Sequence, residues 1–333
     1  MLSYHREICN GERQYNFPKP IVGGISAIGR IAALGPDSTT LKLGQLVYVD
    51  CVIHSRDNPD DMFLTAINDG RTEGSKKLIR DVWRDGTFAE YARMPLENCY
   101  PLDEAQLCGS AESGGLGYSI HDLMHISYPL VGYGGLRDIN LEPGETIAVC
   151  PATGRFGGAG VMMAIAMGAR VIAMGRNEKE LARLKEHVLK GSPHAFGRIE
   201  TVKMTGDEMT DASSVKAFGT IDALLDFTPL HASKSLHVRS AIWALHRGGR
   251  VSLMGNNENI FIPTIMLRNI TLKGRFMYDR EDIVQFIKIL EAGLFPRGKD
   301  FVDTKVFKLE GWKEAFDVAA EHTGIGRTVL FTP

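Results

Sequence analysis

The segment from Thr146 to Asn177 constrains the fold more than any other stretch of the chain. Thr146–Cys150 (TIAVC) is a short, continuously apolar, β-branched run, as a strand buried on both faces requires. It leads into PATGRFGGAG, where Gly154, Gly157 and Gly158 stand between that strand and the helical run VMMAIAMGA. A second buried strand, ARVIAMG, follows. A tight strand-to-helix turn needs residues without a Cβ, and so does a backbone that touches a pyrophosphate. A helix opening here aims its unpaired N–H groups at phosphate oxygens. The spacing predicts a dinucleotide cradle over Gly154, Arg155, Phe156, Gly157 and Gly158, against the alternative of a purely structural glycine turn. On this reading a side chain at Gly157 would stand where the pyrophosphate lies.

The end of the second strand selects the coenzyme. An NAD site places Asp or Glu there to bond the ribose 2′-OH. This chain has Gly175, Arg176 and Asn177 instead. No carboxylate repels a 2′-phosphate at that point, and Arg176 can offer it forked, charge-assisted hydrogen bonds. The expected cofactor is NADP(H). The alternative for Arg176 is a solvated surface residue, since Lys179 and Arg183 follow on an exposed helix.

Beyond this segment, apolar runs and helical spacings continue to alternate. Ile221–Phe227, Gly249–Gly255 and Asn269–Gly274 read as strands, with helices over residues 178–189 and 235–245. That alternation predicts an α/β, doubly wound parallel sheet. Residues 18–50 are β-rich and punctuated by glycine, and Thr87–Pro101 has strand character. Residues 54–85 read as a charged surface excursion with a helical turn near Lys76–Trp83. The tail adds helices over 282–292 and 312–322 and a final strand, Thr328–Phe331.

With 38 Lys and Arg against 40 Asp and Glu, a net charge of −2 gives no electrostatic reason to expect nucleic acid or an anionic membrane as partner. No apolar stretch is long enough to span a bilayer, and MLSYHREICNGERQ has no signal-peptide core. The five cysteines are an odd number without a CxxC, which argues against a disulfide framework. The expectation is a cytoplasmic protein acting on a small molecule.

Five segments in order resemble the medium-chain dehydrogenase/reductase superfamily, which includes zinc alcohol dehydrogenases, quinone reductases and enoyl reductases. They are PIVGGISAIGRIAALG, LKLGQLVYV, GTFAEYARMPLENCYPL, LEPGETIAVCPATGRFGGAGV and AFDVAAEHTGIGRTVLF. The resemblance implies a GroES-like catalytic domain over residues 1–130, a Rossmann NAD(P)-binding domain over 131–274 and a GroES-like return over 275–333. It implies that Arg327 contacts the pyrophosphate, and that Phe227–Thr228, Met254–Gly255–Asn256 and Phe276–Met277 flank the adenosine or nicotinamide. It also implies that the apolar stretch before Asn269 is a strand pairing two copies in a homodimer. Met1 falls just after the family's first zinc ligand, so the opening strands of the GroES-like domain are expected to be missing.

The departures carry as much information. The family's catalytic-zinc His and adjoining Glu fall on Ile25 and Ser26, and a third ligand position falls on Ser127. A tetrahedral site needs three protein ligands, so a zinc-independent enzyme is expected, with no metal. His121 and His125 lie four apart and would share a helix face, but no third ligand accompanies them. Without zinc the protein need only position an acceptor and manage one proton. Tyr4, His54 and Tyr133 are the candidate catalytic donors, with His5 and Cys51 considered beside them; each equally suits packing or a loop position. The expected function is NADPH-dependent hydride transfer to an enone, quinone or carbonyl. The alternatives are a secondary-alcohol dehydrogenase or ketone reductase, and a catalytically weak NADPH-binding protein.

Overall fold

The computed structural model describes residues 1–192, 195–297 and 301–333 and divides into two compact units. The first consists of Met1–His125, Val302–Thr323 and Arg327–Pro333, the second of Ile126–Phe301 and Gly324–Gly326. The return to the first unit therefore begins at Val302, not at residue 275.

The front of the first unit contains α1 (His5–Asn10), β1 (Ala27–Arg30), β2 (Leu46–Val49), β3 (Val52–His54), β4 (Met62–Leu64) and α2 (Glu73–Asp81). β5 (Cys99–Pro101), α3 (Glu104–Cys108) and α4 (Ile120–Leu123) follow. β1, β2 and β5 form an antiparallel sheet in that order. The expected surface excursion instead contains the β3–β4 hairpin and α2, and has a core of its own. Ile53, Phe63 and Ile79 are buried there, with Leu78, Trp83 and Met94 packed against them. Three apolar residues spread among many charges carry too weak a period to reveal this from sequence. Thr87–Met94 is not a strand either. Its backbone bonds residues 22–24 through Gly86, Thr87 and Phe88 without a regular ladder.

The second unit opens with α5 (Ser127–Asp138), then alternates strands and helices: β6 (Thr146–Cys150), α6 (Arg155–Ala166), β7 (Arg170–Gly175), α7 (Glu178–Gly191), β8 (Ile199–Lys203) and α8 (Glu208–Lys216). It continues through β9 (Ala223–Asp226), α9 (His237–Ala244), β10 (Arg250–Leu253), α10 (Ile262–Arg268), β11 (Thr271–Gly274) and α11 (Arg280–Glu291). All six strands are parallel, in the order β11-β10-β9-β6-β7-β8. β6 and β9, all of whose residues are buried, flank the point where the winding reverses. Ligands of such sheets bind outside the carboxyl ends of the strands at that reversal. Leu181, Leu184 and Val188 form the buried stripe of α7, each worth roughly 1.5–3 kcal/mol of burial.

Two expectations fail at the rim of this unit. The apolar stretch before Asn269 is a helix, α10, with Pro263 in its first turn and Asn269 closing it at φ 52°. A proline is suited to a helix start and Asn to a left-handed cap, so local chemistry overrides the strand. α11 also stays with the parallel sheet's unit. Asp282 accepts from Arg137 of α5 at 3.3 Å and from Arg275 at 2.9 Å. The first unit then resumes with β12 (Asp303–Phe307), α12 (Trp312–Glu321) and β13 (Arg327–Phe331), β12 and β13 pairing in parallel.

Candidate functional site

The turn between β6 and α6 lies at the winding reversal. Gly154 is the N-cap of α6, with φ −75° and ψ 168° and no side-chain cap, so the first N–H groups of the helix point out of the turn without a side-chain acceptor. A Cβ on Gly154 would meet nothing within 4 Å, whereas one on Gly157 would lie 2.0 Å from the Pro151 carbonyl oxygen. Gly157 thus serves the close approach of helix and turn, and the expectation that a side chain there would invade the pyrophosphate space is corrected. Gly154 is the residue that faces open space.

Arg155 and Phe156 turn their side chains inward. The Arg155 guanidinium, buried, donates to the Tyr128 hydroxyl at 2.7 Å and lies 4.8 Å above its ring. Burial raises the Tyr128 phenol above its ordinary range, and Arg155 opposes that rise. Phe156 stacks on Phe227 at 6.4 Å and meets Tyr128 edge-on at 5.6 Å. These side chains form the floor of the turn.

Two concavities adjoin the ends of β6, β7 and β9. One, of about 170 Å³, is lined by Pro151, Arg176, Met204, Thr205, His231 and His237 among others. It is smaller than a pocket for a whole drug-sized ligand, about 300–1,000 Å³, and suits one ring system. The other, more open and about 630 Å³, is lined by Arg176, Asn177, Glu178, Lys179 and Lys203. Arg176 borders both. Asn177 caps α7, its side chain accepting from the Lys179 and Glu180 N–H groups, so it fixes the helix start beside Arg176. Glu178 is the one carboxylate in the second lining, and Lys203 pairs with it at 3.3 Å. Sequence reasoning missed Lys203, Met204, His231 and His237. Lys203 ends β8, the strand beside β7 in the sheet, which the sequence reading did not identify.

The ends of β9 and β10 are also brought together. The Asn256 N–H donates to the Thr228 carbonyl at 2.7 Å and the Met254 N–H to that of Asp226 at 3.0 Å. A Cβ on Gly255 would collide with the Thr228 nitrogen at 2.1 Å. Phe276 is largely exposed, and Met277 has φ 59° with its carbonyl oxygen against Gly134 of α5. Arg327 opens β13 in the first unit, where its guanidinium donates to the Thr323 carbonyl at 3.2 Å.

Of the three candidate donors, Tyr4 and His54 belong to the first unit and Tyr133 to the second. Tyr133 is 3% exposed, with its ring 5.9 Å from Phe286 of α11 and beneath Arg137. Gly135, two residues on, faces Leu225 and Ser252 of the sheet. Tyr133 is therefore a packing residue between α5 and α11, and its catalytic assignment is withdrawn. Tyr4 lies between Tyr15, 6.4 Å away, and the Arg13 guanidinium 3.9 Å above its ring. His54 is half-buried at the end of β3 opposite Met62. His5 packs between Phe88 and Phe316, each at 5.3 Å, and burial lowers its pKa to about 4. His121 is exposed while His125 is buried, since α4 gives way to a tighter turn between them; they do not share a face. Among the described residues no group of three or more His, Cys, Asp or Glu could hold a metal ion. Among those residues, too, no helix is long and apolar enough to cross a membrane.

Comparison with known families matches residues 4–104 to the alcohol dehydrogenase GroES-like domain and residues 156–292 to a domain described as zinc-binding dehydrogenase. No curated protein matches the sequence. Solved structures share the fold. An alcohol dehydrogenase from Thermus sp. ATN1 is 16% identical with TM-score 0.75, covering 100% of this chain and 90% of its own. A protein from E. coli CFT073, described as a short chain alcohol dehydrogenase in complex with NADH, is 17% identical with TM-score 0.72, covering 98% and 87%. A cobalt- and zinc-bound alcohol dehydrogenase from Pyrobaculum aerophilum is 20% identical with TM-score 0.66, covering 98% and 86%. With a GroES-like segment followed by a six-stranded parallel sheet, and both family models matched in order, the chain belongs to the medium-chain dehydrogenase/reductase superfamily, as an alcohol dehydrogenase-like oxidoreductase.

Proposed function

We propose that the protein is a zinc-independent, NADPH-dependent oxidoreductase acting on a small carbonyl compound, with conjugated enones and quinones the favoured class. The observation that carries the coenzyme choice is Arg176, which borders both the ring-sized cavity and a concavity with Lys179 and Lys203 on its wall. A 2′-phosphate seated there meets three cations. The single carboxylate, Glu178, is already matched by Lys203. An arginine fork suits a phosphate better than a ribose hydroxyl.

The chain's own residues would divide the work as follows. The first-turn N–H groups of α6 hold the pyrophosphate, with Gly154 leaving room for it. The cavity beside His231 and His237 takes the adenine. Bound NADPH supplies the hydride. No metal polarises the acceptor on this reading, because Ile25, at the position that the resemblance gives to the catalytic-zinc His, has no donor atom. The completing proton is available from water.

The exposed apolar residues Ile262, Met266 and Leu267 of α10 lie beside β11, the open edge of the parallel sheet. An unpaired edge next to an apolar patch is suited to a second copy of the same surface, and this region is our proposed homodimer contact. The function is tested by following NADPH and NADH oxidation with a panel of enones, quinones and ketones and weighing the products. The reading expects turnover with NADPH and a product two hydrogens heavier. Tight NADPH binding without turnover on any acceptor would instead indicate a coenzyme-binding protein.

A further inference from the structure

Behind the 170 Å³ cavity four hydrogen bonds run in series. The Thr228 hydroxyl bonds the Asp226 carboxylate and, at 2.8 Å, His237 Nε2. His237 Nδ1 lies 2.5 Å from Ser235 Oγ, which donates to the Ala232 carbonyl at 2.7 Å. Asp226, Thr228 and His237 are all buried, so water does not readily substitute for a missing partner.

Counting protons along this chain gives a definite result. A carbonyl oxygen only accepts, so Ser235 donates its single hydroxyl proton to Ala232 and must accept from His237 Nδ1–H. An ionised Asp226 also only accepts. It takes the Thr228 proton, and Thr228 must then accept from Nε2. Both ring nitrogens would have to donate, which a neutral imidazole cannot do. The chain therefore closes in two ways, with an imidazolium at His237 or with a protonated Asp226 that donates to Thr228. Either carries one proton more than ionised Asp226 with neutral His237.

The surroundings favour the carboxyl as its seat. Burial raises Asp226 to about 6, against the lowering effect of its bonds from Thr228 and Gly255. Burial, aided by the charge of Arg176, lowers His237. The other groups facing the chain are identifiable. Cys150 on β6, paired in register with Asp226, has its thiol raised by burial and by Asp226 and Asp211. Asp211 of α8 accepts from the N–H groups of Thr205 and Gly206 at 2.8 and 3.2 Å. Arg239 of α9 pairs with Glu208 at 2.9 Å, and Glu258 accepts from Ser233 at 2.8 Å. His231 and Arg176 share the cavity wall with His237.

We propose that coenzyme binding is proton-linked: seating a 2′-phosphorylated adenosine in this cavity, with its phosphate on Arg176, draws one proton from solvent onto the Asp226–Thr228–His237–Ser235 chain. Without that proton the chain adds a negative charge to a wall that receives an anion. Once a phosphate neutralises Arg176, the field opposing the extra proton is removed. The proposal rests on the reading that this cavity and Arg176 receive the coenzyme.

The test compares wild type with Asp226→Asn, whose amide donates to Thr228 permanently and closes the chain without a titrating group. Calorimetric titration with 2′,5′-ADP in two buffers of different ionisation enthalpy reads proton uptake, and the ligand's own phosphate titration is common to both proteins. Above the midpoint, wild-type Kd should rise by up to about tenfold per pH unit relative to Asp226→Asn. Uptake should be greater in wild type by a substantial fraction of a proton. Equal uptake in the two proteins overturns the linkage while leaving the coenzyme reading intact; failure of 2′,5′-ADP to bind wild type overturns both. Histidine-labelled wild-type protein without ligand checks the chain independently of any variant's folding. Its ¹⁵N spectrum should show His237 as the Nδ1–H tautomer, shifting with a midpoint near 6. An Nε2–H tautomer that does not respond over that range contradicts the proton count.

Discussion

Gly154 and Gly157 are three residues apart in one turn and do different physical work. At Gly157 a β-carbon would overlap the Pro151 carbonyl, so Gly157→Val must push helix α6 off its turn, at a cost of at least about 2 kcal/mol. At Gly154 the backbone is in an ordinary extended conformation and a side chain would enter open space. Gly154→Val should keep wild-type stability in urea denaturation while weakening coenzyme binding by about tenfold or more. The reverse pattern, a folding defect at Gly154 and normal folding at Gly157, would show that the turn is misassigned. The sequence made this turn legible because three glycines between a buried strand and a helix have few other uses. It did not separate their roles, since that depends on where the Pro151 carbonyl points. Arg176 directly follows β7, the second strand, as the sequence placed it. Its neighbours His231 and His237 were not singled out, because His231 lies in the segment between β9 and α9, His237 opens α9, and no spacing in the sequence marks either as lining a cavity.

At the scale of elements, α1 shows how burial turns a residue type with catalytic associations into a structural one. His5 is nearly fully buried against Phe88 and Phe316, and its pKa falls from 6.5 to about 4 through burial and then the nearby N-terminal charge. The folded first unit therefore holds His5 neutral where the unfolded chain protonates it. That contribution is fully present above about pH 6.5 and is lost as pH falls toward 4, amounting to about 3 kcal/mol. Urea midpoints measured between those pH values should fall in wild type, and the His5→Phe variant should flatten the slope. An unchanged slope would mean that His5 is not the group responsible. Five strands of the second unit and α7 were legible because buried parallel strands are continuously apolar and α7 keeps a clear stripe, whereas β8, with only Ile199 and Val202 buried, and the helices α5 and α8 were not read. The β3–β4 hairpin was hidden and α2 was read only as a helical turn near Lys76–Trp83, since their core rests on a few residues dispersed among charges. α10 was misread because seven residues rich in Ile, Met and Leu fit either element until Pro263 and the left-handed Asn269 are weighed.

At the scale of the whole molecule, the family's GroES-like segment and parallel-sheet segment are both present, while the positions that the resemblance gives to its catalytic zinc hold Ile25, Ser26 and Ser127. Ile262, Met266 and Leu267 beside the β11 edge are the proposed contact between copies. Met266→Glu should shift the species seen by light scattering from dimer to monomer with little change in NADPH affinity; a wild-type monomer at micromolar concentration would remove the proposal. The central claim is that the turn at Gly154 and the cations around Arg176 hold a 2′-phosphorylated nicotinamide coenzyme. The most direct test is fluorescence titration of the wild-type protein and Arg176→Asp with NADPH and with NADH. Loss of a charged hydrogen bond is worth about 1.5–3 kcal/mol, so wild type should prefer NADPH by about tenfold or more and Arg176→Asp should lose that preference. Equal or tighter binding of NADH by the wild-type protein, or no binding of either coenzyme, would contradict it.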